Sequence, residues 1–332
     1  MPDEPGRDPL APPTLGAAPT ARAIPLGTSA AIPAHGRHLS ATALAWGPRL
    51  LLFDCGEATQ FRLAAAGLSA LRVDAVFVTH LHGDHFFGLP GLLSTMAMQG
   101  RTAPLVLVGP EGLWRILDAI PSIGLSQPPF EIRYTSWPVE GARAAFGKAT
   151  VYEDDRLTVV ARPIEHRVPC AGYRVEERPR PGNLDVAKAR ARGLTDWHDY
   201  RRLKAGEAVT APDGSRVLPE DVVAPGPAPR SFAYVLDSRP CEGGRLLARG
   251  ASLLIHDATF EEAFAARAVE TGHSTAREAA EVARDAGAGR LLLTHFSARH
   301  ADVVTLVEEA RAIYPPTDAA VELAPVAIPE GV

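Results

Sequence analysis

Several short apolar runs in this chain end in a residue that can bind a metal ion. AVFVT leads into His80, LTVVARPIE into His166, SFAYVL into Asp237, SLLIH into Asp257 and RLLLT into His295. These runs alternate with helix-like stretches, which favours an α/β architecture. Side chains at the carboxyl ends of strands point into the crevice where α/β folds bind ligands. The pattern therefore predicts a site built from strand ends.

The strongest motif is the segment His-Leu-His-Gly-Asp-His that follows AVFVT. Its three imidazoles (His80, His82, His85) and one carboxylate (Asp84) cannot all face one side of a strand or helix, but they can converge on a loop. Imidazole and carboxylate are a ligand set that suits zinc. Gly83 is expected to let the backbone turn sharply between the two pairs of ligands. The alternative is a polar loop that is rich in histidine without binding metal.

One loop cannot complete the coordination of two metal ions, because each zinc needs about four ligands. The strand-end residues His166, Asp237 and His295 are the candidates for the missing positions. Each of them, taken singly, is more often an ordinary polar residue whose hydrogen bonds are satisfied. Together with the histidine motif, they become the expected partners.

The chain of 332 residues is expected to form one ordered domain with an insertion. Residues 1–21 are rich in proline and are interpreted as a disordered tail, and residues 22–332 as the catalytic domain. Residues 174–230 interrupt the alternation and are interpreted as an inserted arm and linker. Residues 174–204 hold nine Arg and Lys against five Asp and Glu, although the net charge of the chain is −5. Such a segment suits a phosphate backbone, or is simply a solvated and salt-bridged surface.

The composition also predicts a cellular compartment. No run of about 18 apolar residues exists, so no membrane span is expected. The first residues lack a basic region followed by an apolar core, so no secretory signal is expected. The three cysteines are odd in number and scattered, which is typical of reduced thiols in a cytoplasmic protein.

A helix start is predicted close to the C-terminus, in HSTAREAAEVARDAGAG. Thr275 followed by Glu278 forms a capping box, and the region of Gly287 and Gly289 is expected to end the helix. His273 is therefore placed just before a helix N-terminus. Its plain interpretation is an ordinary neighbour of a helix cap.

Segments spread from Leu26 to about His300 resemble the metallo-β-lactamase superfamily and, within it, the ribonuclease Z family. They are LGTSAAIPAHGRHLS, LFDCGEATQ, VTHLHGDHFFGLPGLL, PIEHRVPCAGYRV, LLIHDATF, GHSTAREAA and LLLTHFSARH. The histidine motif alone is typical of the superfamily, whereas LFDCGE-x-TQ, GLPGLL and the ATF/HST pair narrow the resemblance to the family. The resemblance implies an αββα sandwich, the metallo-β-lactamase fold, with an inserted arm that binds RNA.

The resemblance also implies two zinc ions per subunit and seven ligands. One ion is held by His80, His82 and His166, the other by Asp84, His85 and His295, and Asp237 bridges both. A carboxylate can bridge because it has one oxygen for each ion.

Three residues are expected to have catalytic roles by the same resemblance. Asp84 is either a general base as well as a ligand, or a ligand only. His273 is the expected proton donor to the leaving oxygen. The partial positive charge of the helix N-terminus disfavours its imidazolium form, and the carboxylate of Asp257 is expected to counter this and to orient the ring. The family usually has Glu where this chain has Asp257.

The implied substrate is precursor tRNA. Cleavage would remove its 3′ trailer and leave a 3′-hydroxyl on the tRNA and a 5′-phosphate on the trailer. The resemblance also implies a homodimer in which the arm of one subunit holds tRNA for the active site of the other. The arm here lacks the Gly-Pro pair usual in the family, and Arg202, Lys204 and Gly206 are the candidate RNA contacts. The family's Gly-Asp-Thr around the bridging aspartate reads Leu236-Asp237-Ser238 in this chain.

Other functions remain open at this point. A hydrolase of small phosphodiesters or aryl sulfates on the same fold would need the same seven ligands. A non-catalytic RNA-binding protein would have lost ligands, and none is lost here. A β-lactam hydrolase is disfavoured by the missing signal peptide and by a ligand set that suits phosphate.

Overall fold

The structure is a computed structural model that describes residues 21–119, 128–141 and 143–331. Within these ranges the chain forms two seven-stranded sheets with helices on their outer faces, which confirms the predicted αββα sandwich. Residues 1–20 of the predicted tail lie outside the described ranges. Ala21, which the prediction assigned to the tail, is the first residue of strand β1 and pairs with Trp46.

The first sheet has the strand order β18-β1-β2-β3-β4-β5-β6. Its strands are β1 (Ala21–Gly27), β2 (Ala41–Trp46), β3 (Arg49–Phe53), β4 (Ala75–Phe77), β5 (Leu105–Pro110), β6 (Ile132–Trp137) and β18 (Val326–Ala327). Strands β18 to β3 are antiparallel neighbours, and β3 to β6 run parallel. The parallel half carries the histidine motif directly after β4.

The second sheet has the strand order β17-β16-β15-β14-β11-β10-β9. Its strands are β9 (Ala149–Glu153), β10 (Leu157–Ile164), β11 (Cys170–Glu177), β14 (Ser231–Val235), β15 (Leu253–Asp257), β16 (Leu291–Thr294) and β17 (Thr317–Ala319). Strands β9 to β14 are antiparallel, and β14 to β17 run parallel. Each sheet therefore has one antiparallel and one parallel half, as an internally duplicated fold would have.

Two short hairpins and the helices complete the described chain. The hairpins pair β7 (Val139–Glu140) with β8 (Arg143–Ala144) and β12 (Val209–Thr210) with β13 (Arg216–Val217). The helices are α1 (Thr59–Ala65), α2 (Gly83–Phe86), α3 (Leu89–Met98), α4 (Leu113–Ala119), α5 (Val186–Ala191), α6 (Trp197–Lys204), α7 (Pro219–Val222), α8 (Glu242–Ala248), α9 (Ala265–Thr271), α10 (Ala276–Ala286) and α11 (Val304–Ile313), with short 3-10 helices at Ala70–Arg72 and Glu262–Phe264.

Aromatic side chains fill the space between the two sheets. Phe53 and Phe77 of the first sheet stack at 5.0 Å between ring centroids, and Phe53 lies 5.3 Å from Phe232 and 5.4 Å from Tyr234 of the second sheet. All four side chains are fully buried. Apolar contacts of this size hold the sheets at a fixed spacing, and this fixes where the loops at the sheet ends meet.

Apolar side chains also join each sheet to its outer helices. Helix α3 packs against the first sheet through Leu89, Leu92 and Met96, as expected for the GLPGLL segment. Helices α8, α10 and α11 cover the second sheet. The predicted capping box is confirmed, since Thr275 accepts from the backbone of Glu278 and the Glu278 side chain accepts from the backbone of Thr275. Gly287 ends the helix with φ 61°.

The arm is a separate small unit with its own apolar core. Residues of α5, α6, β12, β13 and α7 enclose a cluster that includes Leu194, Leu203 and Val217. The predicted start at residue 174 is wrong, because residues 174–177 belong to β11, where residues 174–176 pair with β14 and Glu177 pairs with Leu157 of β10. The insertion therefore begins after Glu177 and ends before Ser231, where β11 and β14 meet as antiparallel neighbours. Among the described helices, none combines the length and the apolar character needed to cross a membrane.

Candidate metal centre

The loops that follow strands of both sheets meet at one end of the sandwich. His80 follows β4 after two residues, His166 follows β10, Asp237 follows β14 and His295 follows β16 directly. His80, Asp237 and His295 are buried, with at most 2% of their surface exposed. The structure thus brings together the strand-end residues of the two sheets, although they are up to 215 residues apart in sequence (295 − 80).

Half of the histidine motif is helical. His82 is the N-cap of α2, and Asp84 and His85 lie in its only turn. Gly83 does not adopt a positive φ, so the sharp turn expected there is not the reason for the glycine. A Cβ at this position would lie 2.3 Å from the ring of the exposed Phe87, so a larger residue here would displace that ring.

One group of ligand atoms belongs to His80, His82, His166 and Asp237, all within 4.8 Å of one another. His82 Nδ1 lies 2.9 Å from His80 Nε2 and 3.3 Å from His166 Nε2. Asp237 Oδ2 lies 3.6 Å from His80 Nε2 and 3.9 Å from His166 Nε2. This is the set predicted for the first zinc, completed by the carboxylate predicted to bridge.

A second group belongs to Asp84, His85 and His295. The Nε2 atoms of the two histidines lie 3.3 Å apart, and Asp84 Oδ2 is 3.5 Å from each. Asp237 reaches this group as well, with Oδ2 at 3.3 Å from His85 Nε2 and Oδ1 at 3.2 Å from His295 Nε2. Asp237 is therefore the residue shared by both groups.

The hydrogen bonds on the far side of the rings show that these residues fit cations. His166 Nδ1 lies 2.8 Å from the carbonyl oxygen of Gly272, which can only accept, so Nδ1 carries the proton and Nε2 presents a lone pair. His85 Nδ1 is held in the same way by Asp54 Oδ2 at 2.8 Å. Lone pairs that converge at such distances repel one another unless a cation lies between them. Asp237 Oδ1 is buried and has no hydrogen-bond partner among the described residues, as a metal-binding oxygen would.

The electrostatics of the cluster follow from burial and close charges. Burial lowers the pKa of His80 well below its usual value, and the neighbouring His85 adds to this effect. Burial opposes ionisation of Asp237, but His295 and His85 hold its pKa well below its usual range. Burial opposes the charged form of His85, but Asp237, Asp54 and Asp84 outweigh it and raise its pKa well above the usual value, so a metal ion that binds there displaces a proton.

Asp54 and Thr79 support the cluster and were missed by the sequence analysis. Asp54 is fully buried and accepts hydrogen bonds from the backbone and the hydroxyl of Thr79, in addition to holding His85. Its φ of 56° is tolerated because Asp is one of the few residues that adopt this region. A carboxylate behind a ligating imidazole fixes the ring and raises its basicity. The only sequence signal was its place at the end of a strand, in LFDCGE.

His295 is also held by a threonine and a buried aspartate, Thr259 and Asp257. Thr259 Oγ1 lies 3.0 Å from His295 Nδ1 and donates to Asp257 Oδ1 at 2.7 Å. Asp257 is fully buried, and its Oδ2 also accepts from the backbone of Ser238. Ser238 follows Asp237 directly and stands where the family has Thr. Its backbone hydrogen bond therefore links the segment of Asp237 to Asp257.

His273 lies beside both ligand groups. Its ring centroid is 5.1 Å from that of His166 and 5.1 Å from that of His295. His273 Nδ1 lies 2.8 Å from Asp257 Oδ2, the contact that the resemblance implied. Burial disfavours the charged ring, but the Asp257 carboxylate outweighs it and raises the pKa of His273 to about 9. The shorter side chain of Asp257 thus reaches the histidine.

Other predicted residues lie apart from the cluster. Cys55 is fully buried in the core beneath the first sheet, and burial raises its pKa to about 12, so its thiol stays protonated. Arg202 and Lys204 lie on α6 of the arm, where Arg202 is paired with Glu207 at 3.0 Å. Gly206 follows with φ 87°.

Comparison with known proteins identifies the family. A family model described as Anti-Pycsar protein Apyc1 matches residues 22–126 only. The ribonuclease Z of Salinibacter ruber is 52% identical over 301 residues, covering 90% of this chain and 92% of that protein. The ribonuclease Z of Bacillus licheniformis is 40% identical over 304 residues, covering 89% and 95%.

Solved structures agree with this. Human tRNase Z, short form, aligns with a TM-score of 0.68 and 28% identity over 93% of this chain and 99% of that chain. The metallo-β-lactamase fold protein YhfI from Bacillus subtilis aligns with a TM-score of 0.65 over 93% and 99%, and at 19% identity it shows the fold alone. The near full-length matches with ribonucleases Z show that this chain belongs to the ribonuclease Z family of the metallo-β-lactamase superfamily.

Proposed function

We propose that this chain is an endoribonuclease that removes the 3′ trailer from precursor tRNA with two zinc ions per subunit. Cleavage leaves a 3′-hydroxyl on the tRNA and a 5′-phosphate on the trailer. The observation that carries the proposal is the sharing of Asp237 between two groups of histidines, since a pair of metal ions is the usual device for phosphodiester hydrolysis. Membership of the ribonuclease Z family supports RNA as the substrate.

The donor set supports zinc. Imidazole nitrogens and carboxylate oxygens, without thiolates, suit zinc in a hydrolytic site. When bound, two zinc ions activate a water molecule near neutral pH and neutralise the charge that develops on the phosphate. His80, His82 and His166 would hold one ion, Asp84, His85 and His295 the other, and Asp237 both.

Asp84 and His273 would handle protons on either side of the reaction. Asp84 Oδ2 accepts from the backbone of Ala31 at 2.8 Å, which fixes the carboxylate while it faces His85 and His295. It can therefore orient the attacking water, and also accept its proton if it acts as the base. The Nδ1 of His273 is occupied by Asp257, so Nε2 is the nitrogen available to protonate the leaving 3′-oxygen.

The arm supports binding of the tRNA body. It is a folded unit with its own apolar core, inserted between β11 and β14, and it offers a large substrate a second surface besides the metal centre. Lys204 and Gly206 are the stronger candidates for phosphate contacts, because Arg202 is already paired with Glu207. Contacts of this kind would position the substrate without reading its sequence.

A homodimer is also part of the proposal. Ile32, Phe61 and Phe87 expose 58%, 69% and 59% of their surfaces. Phe87 follows α2, and Ile32 follows Ala31, whose backbone binds Asp84, so both lie on segments next to the metal-binding loop. Apolar surface near a site is typical of an interface. The buried and unpaired Cys55 and Cys170 fit the proposed cytoplasmic location.

Incubation with end-labelled precursor tRNA tests the function. Wild type should release the trailer as one 5′-phosphorylated product, and His82→Ala should lose nearly all activity because one ion loses a ligand. The chromogenic ester bis(p-nitrophenyl) phosphate should be included. If wild type cleaves this ester but leaves precursor tRNA intact, the small-phosphodiester hydrolase is the correct interpretation.

A further inference from the structure

A cavity of about 360 Å³ lies next to the metal centre. It is bounded by the loop after β4, the end of β5 with the start of α4, β7, and the loop after β10. Two of its walls are parts of metal-binding segments: Leu81 stands between His80 and His82, and Val168 stands two residues after His166. The cavity is therefore bordered by the same two loops that carry His80, His82 and His166.

The walls of the cavity combine apolar surface with one cation and one carboxylate. Leu81, Val139 and Val168 supply apolar surface, and Arg115 and Glu111 supply the charges. Arg115 has no acidic partner within ion-pair distance among the described residues. This mixed lining, with apolar side chains beside charged groups, suits a ligand that has both an apolar face and a charge.

The frame of the cavity is held by the first sheet. The hydroxyl of Tyr134 on β6 donates to the carbonyl of Pro110 at 2.6 Å, and the backbone of Glu111 donates to Trp137 at 3.1 Å. The guanidinium carbon of Arg115 lies 5.7 Å from the centroid of the Trp114 ring. These contacts fix the backbone at the end of β5, directly before α4, and α4 carries Arg115 to the edge of the cavity beside the Trp114 ring.

We propose that this cavity binds one unpaired nucleotide adjoining the scissile phosphate, with a backbone phosphate of that nucleotide against Arg115. This rests on the proposed function, since only an RNA substrate supplies such a nucleotide. The apolar walls suit the faces of a base or ribose, which every nucleotide has. A guanidinium without an internal partner suits a phosphate. The cavity lies at the small end of the usual range for ligand sites, which is about 300–1,000 Å³, so it accommodates one nucleotide rather than several.

The test compares Arg115→Ala with Arg133→Ala as a matched control. Arg133 is an exposed arginine on β6, but it is already paired with Glu131 at 2.9 Å. Binding of labelled precursor tRNA is measured with chelator present, so that no cleavage occurs, over a series of salt concentrations. Arg115→Ala should weaken binding about tenfold and reduce the slope of log Kd against log salt by about 0.7, the value for one contact to a single strand. Arg133→Ala should change neither.

Activity gives a second readout. The KM for precursor tRNA should rise about tenfold in Arg115→Ala, since one charge-assisted contact is lost. Hydrolysis of bis(p-nitrophenyl) phosphate should stay at the wild-type rate, because this ester has no flanking nucleotide. Arg115→Lys, which keeps the charge, should recover part of the binding.

Modified substrates distinguish the two sides of the cleavage site. One precursor has an abasic trailer residue next to the scissile phosphate, and another has an abasic residue at the last tRNA position. The abasic substrate that matters is the one that wild type binds more weakly than intact precursor. Arg115→Ala should not weaken the binding of that substrate any further, and this result identifies which nucleotide enters the cavity. If Arg115→Ala behaves like Arg133→Ala, or if neither abasic substrate binds more weakly, the inference is wrong while the proposed function stands. Failure of wild type to process any precursor tRNA would instead remove the proposed function.

Discussion

His85 Nδ1 and Asp54 Oδ2 lie 2.8 Å apart, and both side chains are fully buried. The contact joins the end of β3 to the helical turn that holds half of the histidine motif. It turns the Nε2 of His85 towards Asp237 and His295. Asp54 is not one of the predicted metal ligands, but it sets the orientation of the imidazole of His85, which is one of them.

Replacement of Asp54 by Asn tests this contact. Asn tolerates the positive φ at this position and keeps a carbonyl for Thr79, but its amide NH2 would face His85 Nδ1, so the change removes both the negative charge and the hydrogen-bond acceptor behind His85. Metal affinity should fall about 10–100-fold, the usual effect of losing such a partner. Competition with a chromogenic chelator measures it. The control is Asp74→Asn, which replaces another carboxylate, one that accepts a hydrogen bond from the backbone of Leu50. This variant should leave metal affinity unchanged. Equal affinities for wild type and Asp54→Asn would contradict the role.

Asp237→Asn should reduce the metal content from two ions per chain to one or none. The amide keeps one oxygen but loses the charge, and the change leaves both groups without their common anion. Elemental analysis after dialysis gives the content, with Asp318→Asn, a change in a carboxylate paired to Arg290, as the control. A variant that retains two ions would show that Asp237 does not bridge.

His273→Ala should lower kcat on precursor tRNA by about 10²–10⁴-fold, the usual contribution of a general acid. Metal content should stay at the wild-type value. His273 is also close enough to Asp237, Asp257 and His295 to be counted as a possible ligand, so a fall in metal content would give it that role instead.

The leaving group separates these roles of His273 further. A p-nitrophenolate leaves without protonation, so the loss of rate on bis(p-nitrophenyl) phosphate should be far smaller than on RNA, below about tenfold. Equal losses on both substrates would rule out proton donation.

Removal of the arm should separate RNA binding from chemistry. Residues 181–227 can be replaced by a short Gly-Ser linker, because the backbones of Gly182 and Ala224 already lie side by side. The shortened chain should fold, since the apolar core of the arm is separate from those of the sandwich, and it should hydrolyse bis(p-nitrophenyl) phosphate. Binding of precursor tRNA should weaken by more than about tenfold, since several phosphate contacts are lost. Unchanged tRNA binding in a filter assay would show that the arm is not needed.

Phe53→Ala should lower the free energy of unfolding by about 3–5 kcal/mol. The ring is fully buried and contacts aromatic side chains of both sheets, so its loss leaves a cavity that stiff neighbours cannot fill. Denaturant titration measures the change. Met98→Ala, at a residue 86% exposed, should stay within about 0.5 kcal/mol of wild type. A loss as small as that of the control would mean that the space between the sheets collapses around the missing ring.

The residues that could be predicted are those whose signal is local. Histidine and aspartate directly after short apolar runs indicated the strand ends, and the Thr275–Glu278 pair indicated the start of α10, because strand ends and helix caps depend on neighbours in sequence. The arm was recognised from its polar composition, but its predicted start was four residues too early. Residues 174–177 are mostly charged and resemble the arm in sequence, but they form the end of strand β11, which is held by pairing with β14.

The sequence by itself determined the fold class, the family and the set of residues able to bind metal, since chemistry and strand position are properties of short segments. The tertiary structure alone decided what stands behind each ligand. Asp54 meets His85 across 31 residues (85 − 54) and Thr259 meets His295 across 36 (295 − 259), and only the packed sandwich brings them together. It also decided that Arg115 of α4 and Leu81 of the histidine motif border one cavity, because residues from different loops meet only in the folded chain.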